Sequence, residues 1–254
     1  MNKIYLSPSN QDGNMYAYGN TNECEQCNRI AECAKKALQR CGFEVKKAPK
    51  GQNMYTSINE SNSWGADLHI PIHTNAGGGN GTVVFVYSKA SSNMKYANPI
   101  YKQVQNVSLG TIDYGVREYP DLAELNSTNA IAVYIEVDFH DKANIAKWII
   151  ENVETIGEAI AKGVCDGYNI KYIEPNKNKE PNKTTKTSAN SDISKKSNLQ
   201  LAFEVIQGKY GAGATRKQNL GGRYADIQSI VNVLMMDAGV YSELKALYDK
   251  GILV

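Results

Sequence analysis

Three histidines are the scarcest candidates for chemistry in this chain of 254 residues: His69, His73 and His140. The first two lie in the segment 67–73, where apolar and polar residues alternate as they do in a strand. Alternation places His69 and His73 on one face, but four residues of strand separate them by roughly 13 Å. One metal ion therefore binds both only if the strand bends. His73 comes at the strand end, where ligands gather in α/β sheets, and is the stronger candidate; a structural role is the alternative.

Two glutamates stand where an exposed carboxylate is not expected. Glu23 begins a helical pattern and shares its stripe with Ile30 and Leu38, the face predicted to be buried. A surface role at the helix dipole is its alternative. Glu136 ends an apolar run from Ala132, and a lone buried carboxylate costs free energy unless it is paired, bound to metal or used in chemistry. Asp138, on the same strand face, is a lesser candidate.

The surrounding sequence alternates strands with helices, as α/β domains do. We expect strands at 3–7, 43–45, 67–73, 82–87 and 131–137, and helices at 23–41, 54–64, 98–109 and 143–165. This order predicts a mostly parallel sheet flanked by helices over residues 1–173. The candidate residues then follow the carboxyl ends of strands, the usual place for a site in such a sheet.

Composition divides the chain into three parts. Residues 1–173 carry 16 Lys and Arg against 18 Asp and Glu, whereas residues 174–196 carry 6 against 3 and almost no apolar side chain. The second segment is therefore predicted to be a flexible linker. Residues 197–254 regain helical periodicity at 199–206, 225–236 and 241–252. This pattern predicts a small all-α module, which is more suited to binding than to catalysis.

Several classes of function are disfavoured. The acidic first part argues against nucleic acid as a partner, and no apolar run approaches the length of a membrane span. A GxSxG elbow and a P-loop are both missing from the sequence. Four of the five cysteines fall between Cys24 and Cys41 on a predicted helix, without a second matched CxxC pair. Buried free thiols are favoured there over a zinc knuckle, a redox pair or a catalytic thiol.

Taken in chain order, these residues resemble a known family. Glu23 at the head of the first long helix, the strand end His73 to Ala76, and Ile135 to Phe139 resemble the zinc-dependent N-acetylmuramoyl-L-alanine amidases. The resemblance covers about residues 1–170 and is strongest to lysins of phages that infect spore-forming anaerobes. It implies a parallel α/β domain that binds Zn²⁺ through His, Glu and His. By this resemblance His73 and Glu23 are metal ligands, and Glu136 is the catalytic acid/base.

The first metal ligand of that family is missing here. Most members have a Gly-His pair after the first strand, whereas this chain has Ser7-Pro8-Ser9-Asn10-Gln11. By resemblance to members with a Ser-Pro-Ser-x-Gln turn, the amide oxygen of Gln11, or otherwise that of Asn10, fills the position. An amide oxygen is a weaker zinc ligand than imidazole, so zinc affinity should be reduced.

The reaction implied by the resemblance is zinc-assisted cleavage of the amide between N-acetylmuramic acid and L-alanine in bacterial peptidoglycan. Glu136 would take a proton from water and deliver it to the leaving nitrogen. The alternative is a non-catalytic wall-binding protein with a degenerate amidase fold, since the first histidine is missing. The first residues show no secretory signal pattern. We therefore expect an endolysin-like enzyme made in the cytoplasm that reaches the wall after holin-type release or lysis.

The C-terminal region carries a second resemblance. Residues 199–236 are similar to the short cell-wall-binding repeat of some phage lysins, which recognises muropeptide. Tyr210 lies among glycines and is expected to offer a flat ring to a sugar. Arg216 and Arg223 are expected to bind carboxylates of the peptide stem. Ordinary turn glycines and solvated arginines are the alternative.

Overall fold

A computed structural model divides the chain into two compact units, Met1–Pro175 and Asn176–Val254. The structure describes residues 1–175, 193, 196–206, 209–210, 213–236 and 238–250. Most of the predicted linker, residues 174–196, lies outside the described residues. Within the described part of the chain, no helix is long and apolar enough to cross a membrane.

The first unit is built on one seven-stranded sheet. Its strands are β1 (Lys3–Pro8), β2 (Glu44–Lys47), β3 (Leu68–Asn75), β4 (Val83–Val86), β5 (Val116–Glu118), β6 (Ile131–Ala132) and β7 (Tyr134–Phe139). They are ordered β2-β1-β3-β7-β4-β5, and β6 also pairs with β3. The pair β4 and β7 is antiparallel, whereas the other five pairs are parallel. The predicted mostly parallel sheet is confirmed.

Six helices accompany this sheet. They are α1 (Glu23–Arg40), α2 (Met54–Trp64), α3 (Ser91–Val107), α4 (Ala123–Asn126), α5 (Ala143–Glu151) and α6 (Val153–Tyr168). The side chain of Asn22 caps α1 by accepting a hydrogen bond of 2.9 Å from the Glu25 N–H. This cap places Glu23 in the first turn, as its position in the sequence predicts.

Five parts of the chain differ from the sequence-based expectation. The predicted strand 131–137 is two strands, β6 and β7, and β7 extends to Phe139. Helix α3 begins at Ser91 instead of near 98 and keeps Pro99 inside it; proline lacks a backbone donor and so weakens the helical pattern around it. Strand β5 and helix α4 were not predicted, because three or four residues show no periodicity. The predicted helix 143–165 is two helices that meet at Asn152, whose side chain donates to the Trp148 carbonyl.

The two faces of the sheet have different roles. Apolar side chains of β1, β3 and β7 such as Leu6, Ile70 and Ile135 pack in one core with the helices. The alternate residues face α2 and α4, as shown by the hydrogen bonds from Tyr5 to Glu60 and from His69 to Ser61. The polar face therefore carries His69 and His73 of β3 and Glu136 of β7, whereas the β3–β7 register shifts between Glu136 and Phe139, where Asp138 lies.

Two glycines of α6 allow close packing of the helices on the apolar face. A Cβ on Gly163 would lie 2.4 Å from Ile100 Cα in α3, and one on Gly157 would lie 2.6 Å from Cys33 Cβ in α1. Neither distance is compatible with a side chain. Helix α6 thus approaches α1 and α3 closely only because it lacks side chains at these two positions.

The second unit is helical, as predicted. Its elements are α7 (Asn198–Ile206), α8 (Gly213–Leu220), a 3-10 turn (Gly221–Arg223), α9 (Tyr224–Met236) and α10 (Ala238–Asp249). Helices α7 and α9 match the predicted segments, whereas α8 was not predicted. The third predicted segment, 241–252, overlaps α10, and its last two residues lie outside the described chain. Leu201, Phe203, Ile227 and Leu234 are buried in a small core.

Candidate active site

His73 and Glu23 meet at the carboxyl end of the central strands. His73 Nδ1 lies 2.8 Å from Glu23 Oε1, although the two residues are 50 positions apart in the chain. They are only 7% and 1% exposed. The loop after β1 brings α1 back to the strand ends, where the Glu23 N–H donates to the Asn14 carbonyl. The structure therefore brings together two of the predicted site residues.

Gln11, the predicted replacement for the missing histidine, lies at the same point. Its Nε2 is 3.5 Å from His73 Nδ1, and its Oε1 accepts a hydrogen bond of 2.7 Å from Asn14 Nδ2. The same Asn14 nitrogen donates to Glu23 Oε2 at 2.7 Å. Asn10, the other candidate, lines the neighbouring cavity. Of the two amides, Gln11 is the one placed against His73 and, through Asn14, tied to Glu23.

Strand β7 places Glu136 beside His73 in the sheet, since these two residues are partners in the parallel β3–β7 register. Glu136 Oε2 is buried and, among the described residues, is one of two buried side-chain polar atoms without a hydrogen-bond partner. Burial raises the pKa of Glu136 to about 8, a shift opposed by His73 and reinforced by the charge of Glu23. A buried carboxyl oxygen without a hydrogen-bond partner is costly, which marks Glu136 as a candidate for chemistry.

The structure adds one acidic residue that the sequence patterns missed. Glu124 lies on α4 and is only 4% exposed. Its Oε2 is 3.8 Å from His73 Nε2, and its Oε1 is 3.3 Å from His69 Nε2 and accepts a hydrogen bond from Ser7. A helix of four residues has no hydrophobic period from which its buried side can be read. Its flanking residues Leu122 and Leu125 were the only local sign of burial.

Three carboxyl groups surround the single imidazole of His73. Burial alone would lower the pKa of His73, but its contacts with the carboxylates of Glu124 and Glu23 and the charge of Glu136 raise it to about 9. Burial would raise the pKa of Glu124, but His69 and His73 lower it to about 2. Burial would raise the pKa of Glu23, but the hydrogen bond and charge of His73 and the hydrogen bonds from Asn14 and Ser9 together lower it. The site thus favours a positive charge at its centre.

A cavity of about 190 Å³ lies beside His73. Its walls come from the loop after β1, the start of α2, helix α4 and strand β7, and they include Gln11, Gln52, Met54, Glu124 and Tyr134. The ring of Tyr134 stacks on that of His73 with 4.5 Å between centroids. Gln11, His73 and Glu124 therefore border a cavity at the strand ends.

Comparison of the sequence with models of known protein families identifies the family of this chain. The family model for N-acetylmuramoyl-L-alanine amidase matches residues 8–166, more than half of the chain. The chain belongs to the N-acetylmuramoyl-L-alanine amidase family. It is an enzyme of this class, a peptidoglycan hydrolase, and the predicted family and activity are confirmed. A second family model, the CW_7 repeat, matches residues 200–235.

Solved structures resemble the amidase over its first unit. The catalytic domain of the CD27L endolysin targeting Clostridia difficile is 26% identical with a TM-score of 0.55, and the match covers 65% of this chain and 98% of that one. The catalytic domain of CwlV, an amidase from Bacillus (Paenibacillus) polymyxa, is 18% identical with a TM-score of 0.60, covering 67% and 100%. The latter likeness shows the fold alone. Comparison with curated protein sequences gave no significant match.

The other two histidines of the amidase have interior partners. His69 Nδ1 lies 3.0 Å from Ser61 Oγ, and its ring stacks on that of Tyr5. His140 Nδ1 lies 2.9 Å from both Thr74 Oγ1 and the Thr74 carbonyl oxygen. His69 and His73 do not converge on one point, as their spacing predicts; the carboxylate of Glu124 lies between them.

Asp138, the lesser candidate, has a structural role in the amidase. It is fully buried, and its carboxylate accepts hydrogen bonds from the Gly81 and Gly110 N–H groups and from the Ser108 hydroxyl. These contacts join the loops that precede β4 and follow α3. Asp138 is therefore removed from the set of site residues.

The five cysteines of the amidase are free. Cys24, Cys27, Cys41 and Cys165 are buried, as expected for free thiols in a core, whereas Cys33 is half-buried. Burial raises the pKa of the Cys27 thiol well above its ordinary value. A thiol of this kind is a poor nucleophile, in agreement with the expectation against cysteine catalysis.

The predicted binding residues in the C-terminal unit of the amidase differ in burial and in hydrogen-bond partners. Tyr210 is 9% exposed, and its hydroxyl donates to Glu204 Oε2 at 2.8 Å. A buried ring does not present its face to a sugar, which corrects the expected stacking role. Arg223 donates to the carbonyls of Ile193 and Lys196, so its guanidinium is used inside the unit, which also corrects the expectation. The half-buried Arg216 donates to Gln228 at 2.9 Å.

Proposed function

We propose that this amidase is a zinc-dependent enzyme of endolysin type, in which His73, Glu23 and Gln11 hold Zn²⁺ and Glu136 is the catalytic acid/base. Its substrate is the amide bond between N-acetylmuramic acid and L-alanine in bacterial peptidoglycan. One observation carries the proposal: a carboxylate and an amide meet an imidazole nitrogen within 3.5 Å, beside a buried carboxyl oxygen that has no partner.

The donor set supports zinc at this point. In the ranges that the structure describes, no three His, Cys, Asp or Glu side chains converge to hold a metal ion. Glu23 and His73 therefore need a third donor of another type, and Gln11 is the side chain in contact. Rotation of its amide by a half turn exchanges nitrogen and oxygen, which turns the oxygen toward His73. A cation here would also offset the charge of the surrounding carboxyl groups.

The chain's own residues divide the remaining chemistry. When bound, zinc would supply Lewis-acid polarisation of the scissile carbonyl. Glu136 accepts a proton from the attacking water and delivers it to the leaving L-alanine nitrogen as the amide bond breaks. A positive charge beside His73 lowers the pKa of Glu136 from about 8 toward neutrality, where it alternates between the two protonation states.

The cavity supports substrate access from the strand ends. At about 190 Å³ it is smaller than the pockets that enclose whole ligands, which hold several hundred cubic ångströms. We assign it to the lactyl-alanine segment around the scissile amide. The sugar and the rest of the peptide stem then lie on the surface outside it.

The C-terminal unit is assigned to wall binding. Support comes from the CW_7 match over residues 200–235, and Arg216 remains the proposed partner for stem carboxylates. The likeness to an endolysin catalytic domain supports action on the wall. We propose that the enzyme reaches the wall by holin-type release or lysis. In this proposal the linker at 174–196 joins a catalytic unit to a wall-binding unit.

A wall-clearing assay tests the proposal. Purified peptidoglycan is treated with wild type, Glu136→Gln and Glu44→Gln, an exposed glutamate on β2 that serves as the control. Turbidity and the appearance of free L-alanine amino termini are followed with chelator and after zinc is restored. We expect activity in wild type and Glu44→Gln that chelator abolishes and zinc restores, and about 10²- to 10⁴-fold less activity in Glu136→Gln. Wild type that releases no L-alanine termini at any zinc level would favour the non-catalytic wall-binding alternative.

A further inference from the structure

The carboxylate of Glu124 connects two histidines and has no part in the proton transfers proposed above. It contacts three side chains from two strands: Ser7 on β1, and His69 and His73 on β3. Each contact joins residues more than 50 positions apart, so Glu124 reaches all three only in the folded sheet. Because Glu124 is buried with both oxygens directed at partners, it is a structured part of the site's wall.

The two nitrogens of His73 have different surroundings. Nδ1 faces Glu23 at 2.8 Å and Gln11 at 3.5 Å, whereas Nε2 faces Glu124 at 3.8 Å. Stacking on Tyr134 fixes the plane of the ring. The two nitrogens point away from each other, so one ion bound at Nδ1 cannot reach Glu124. This carboxylate is therefore placed to orient the ring rather than to bind the same ion.

Glu124 is itself held in place from the side away from His73. Its Oε1 accepts from Ser7 and lies 3.3 Å from His69 Nε2. His69 is in turn held by Ser61 at 3.0 Å and by stacking on Tyr5 with 5.4 Å between centroids. A chain of buried contacts thus runs from α2 through His69 and Glu124 to His73. Supporting partners of this kind set the tautomer and orientation of a ligating histidine.

We infer that Glu124 is a positioning residue: it holds His73 Nε2, so that Nδ1 is the nitrogen turned toward Glu23 and Gln11 and available to the metal. This inference rests on the proposed zinc site. Ser7 and His69 complete the support by holding Glu124. Removal of the carboxylate should weaken zinc binding by about 10- to 100-fold, as loss of such supporting partners does in other metal sites.

The experiment uses the full chain, in which three histidines give a simple spectrum. Zinc affinity of wild type, Glu124→Gln and Asp138→Asn is measured by competition with a chromophoric chelator. Asp138→Asn is the matched control, because it also alters a fully buried carboxylate with several hydrogen bonds, but one that joins loops. In parallel, ¹⁵N-histidine-labelled protein is examined with zinc bound, to find which nitrogen of His73 carries a proton.

We expect wild type to show a protonated Nε2 and a metal-shifted Nδ1 on His73, and Glu124→Gln to lose both zinc affinity and the slowly exchanging Nε2 proton. Asp138→Asn should keep zinc affinity near wild type even if it unfolds at lower temperature. Equal zinc affinity in Glu124→Gln and wild type overturns the inference, and so does an equal loss in Asp138→Asn. Zinc bound through Nε2 in wild type overturns it without any variant, should Glu124→Gln not fold. Wild type that binds no zinc overturns the zinc site as well.

Discussion

Replacement of Glu136 by Gln should stabilise the metal-free protein while it lowers the activity of the zinc-loaded enzyme by about 10²- to 10⁴-fold. Burial raises the pKa of Glu136 from its ordinary value of 4.5 to about 8. The folded chain therefore keeps this carboxyl protonated at pH 7, whereas the unfolded chain ionises it. Each unit of pKa difference between the two states corresponds to about 1.4 kcal/mol. Ionisation of Glu136 in the unfolded chain therefore lowers the free energy of unfolding by about 3 kcal/mol at pH 7. Glutamine has the same shape and cannot ionise.

The direction of this pKa shift determines how the free energy of unfolding should depend on pH. Below pH 4.5 the Glu136 carboxyl is protonated in both the folded and the unfolded chain, so it does not change the free energy of unfolding. As pH rises from 4.5 toward 8, it ionises in the unfolded chain only, so the free energy of unfolding falls. Above pH 8 this loss is constant. Urea unfolding of wild type and Glu136→Gln, with chelator present, should give equal free energies near pH 4 and a gap of about 3 kcal/mol in favour of the variant at pH 7.

Two further measurements complete this test. Glu44→Gln, the exposed control on β2, should stay near wild type in free energy of unfolding. Turnover of peptidoglycan by zinc-loaded Glu136→Gln should fall by about 10²- to 10⁴-fold, the usual contribution of a general acid/base. A gap that does not widen between pH 4 and pH 7, or a variant less stable than wild type, would refute the reasoning about burial of Glu136.

Three further outcomes are expected. Gln11→His should tighten zinc binding and Gln11→Ala should weaken it, each on the order of tenfold, or about 1.4 kcal/mol. A chelator competition assay measures both changes. Unchanged zinc content in Gln11→Ala would exclude Gln11 as a ligand. Gly163→Ala should lower the free energy of unfolding by about 1–3 kcal/mol, because the added Cβ meets Ile100 Cα at 2.4 Å, and a neutral result in urea unfolding contradicts the close packing. Glu204→Ala should destabilise the C-terminal unit by about 1–3 kcal/mol, since it leaves the buried Tyr210 hydroxyl unpaired, while amidase activity on soluble muropeptide stays the same; far-UV circular dichroism and turnover separate the two effects.

Much of the fold follows from local patterns. The stripe of α1 identified Glu23 as the head of a buried face, and it is 1% exposed. Alternation in β3 placed His69 and His73 on one face, and both rings contact the carboxylate of Glu124 there. These predictions succeed because helix and strand periods depend only on neighbours in the chain. Short elements such as β5 and α4 escaped for the same reason, since three or four residues contain no period.

The roles of residues that depend on contacts with distant parts of the chain were harder to predict from the sequence. Tyr210, among glycines, had the sequence of an exposed ring and is instead buried against Glu204. Asp138 had the same alternation as Glu136, yet its carboxylate joins two loops. Nothing in the neighbourhood of these residues distinguishes a surface position from a core position. The distinction arises when distant segments pack on them.

The sequence by itself therefore determined the kind of domain, the order of the longer strands and helices of the first unit, and the residues that reach the strand ends. Tertiary structure decided which atoms face each other there. The pairing of β1, β3 and β7 brings Gln11, Glu23 and Glu136 to one imidazole, and the position of α4 adds Glu124 to its other side. These contacts join residues that are about 50 or more positions apart, and only the register of the folded sheet sets such distances.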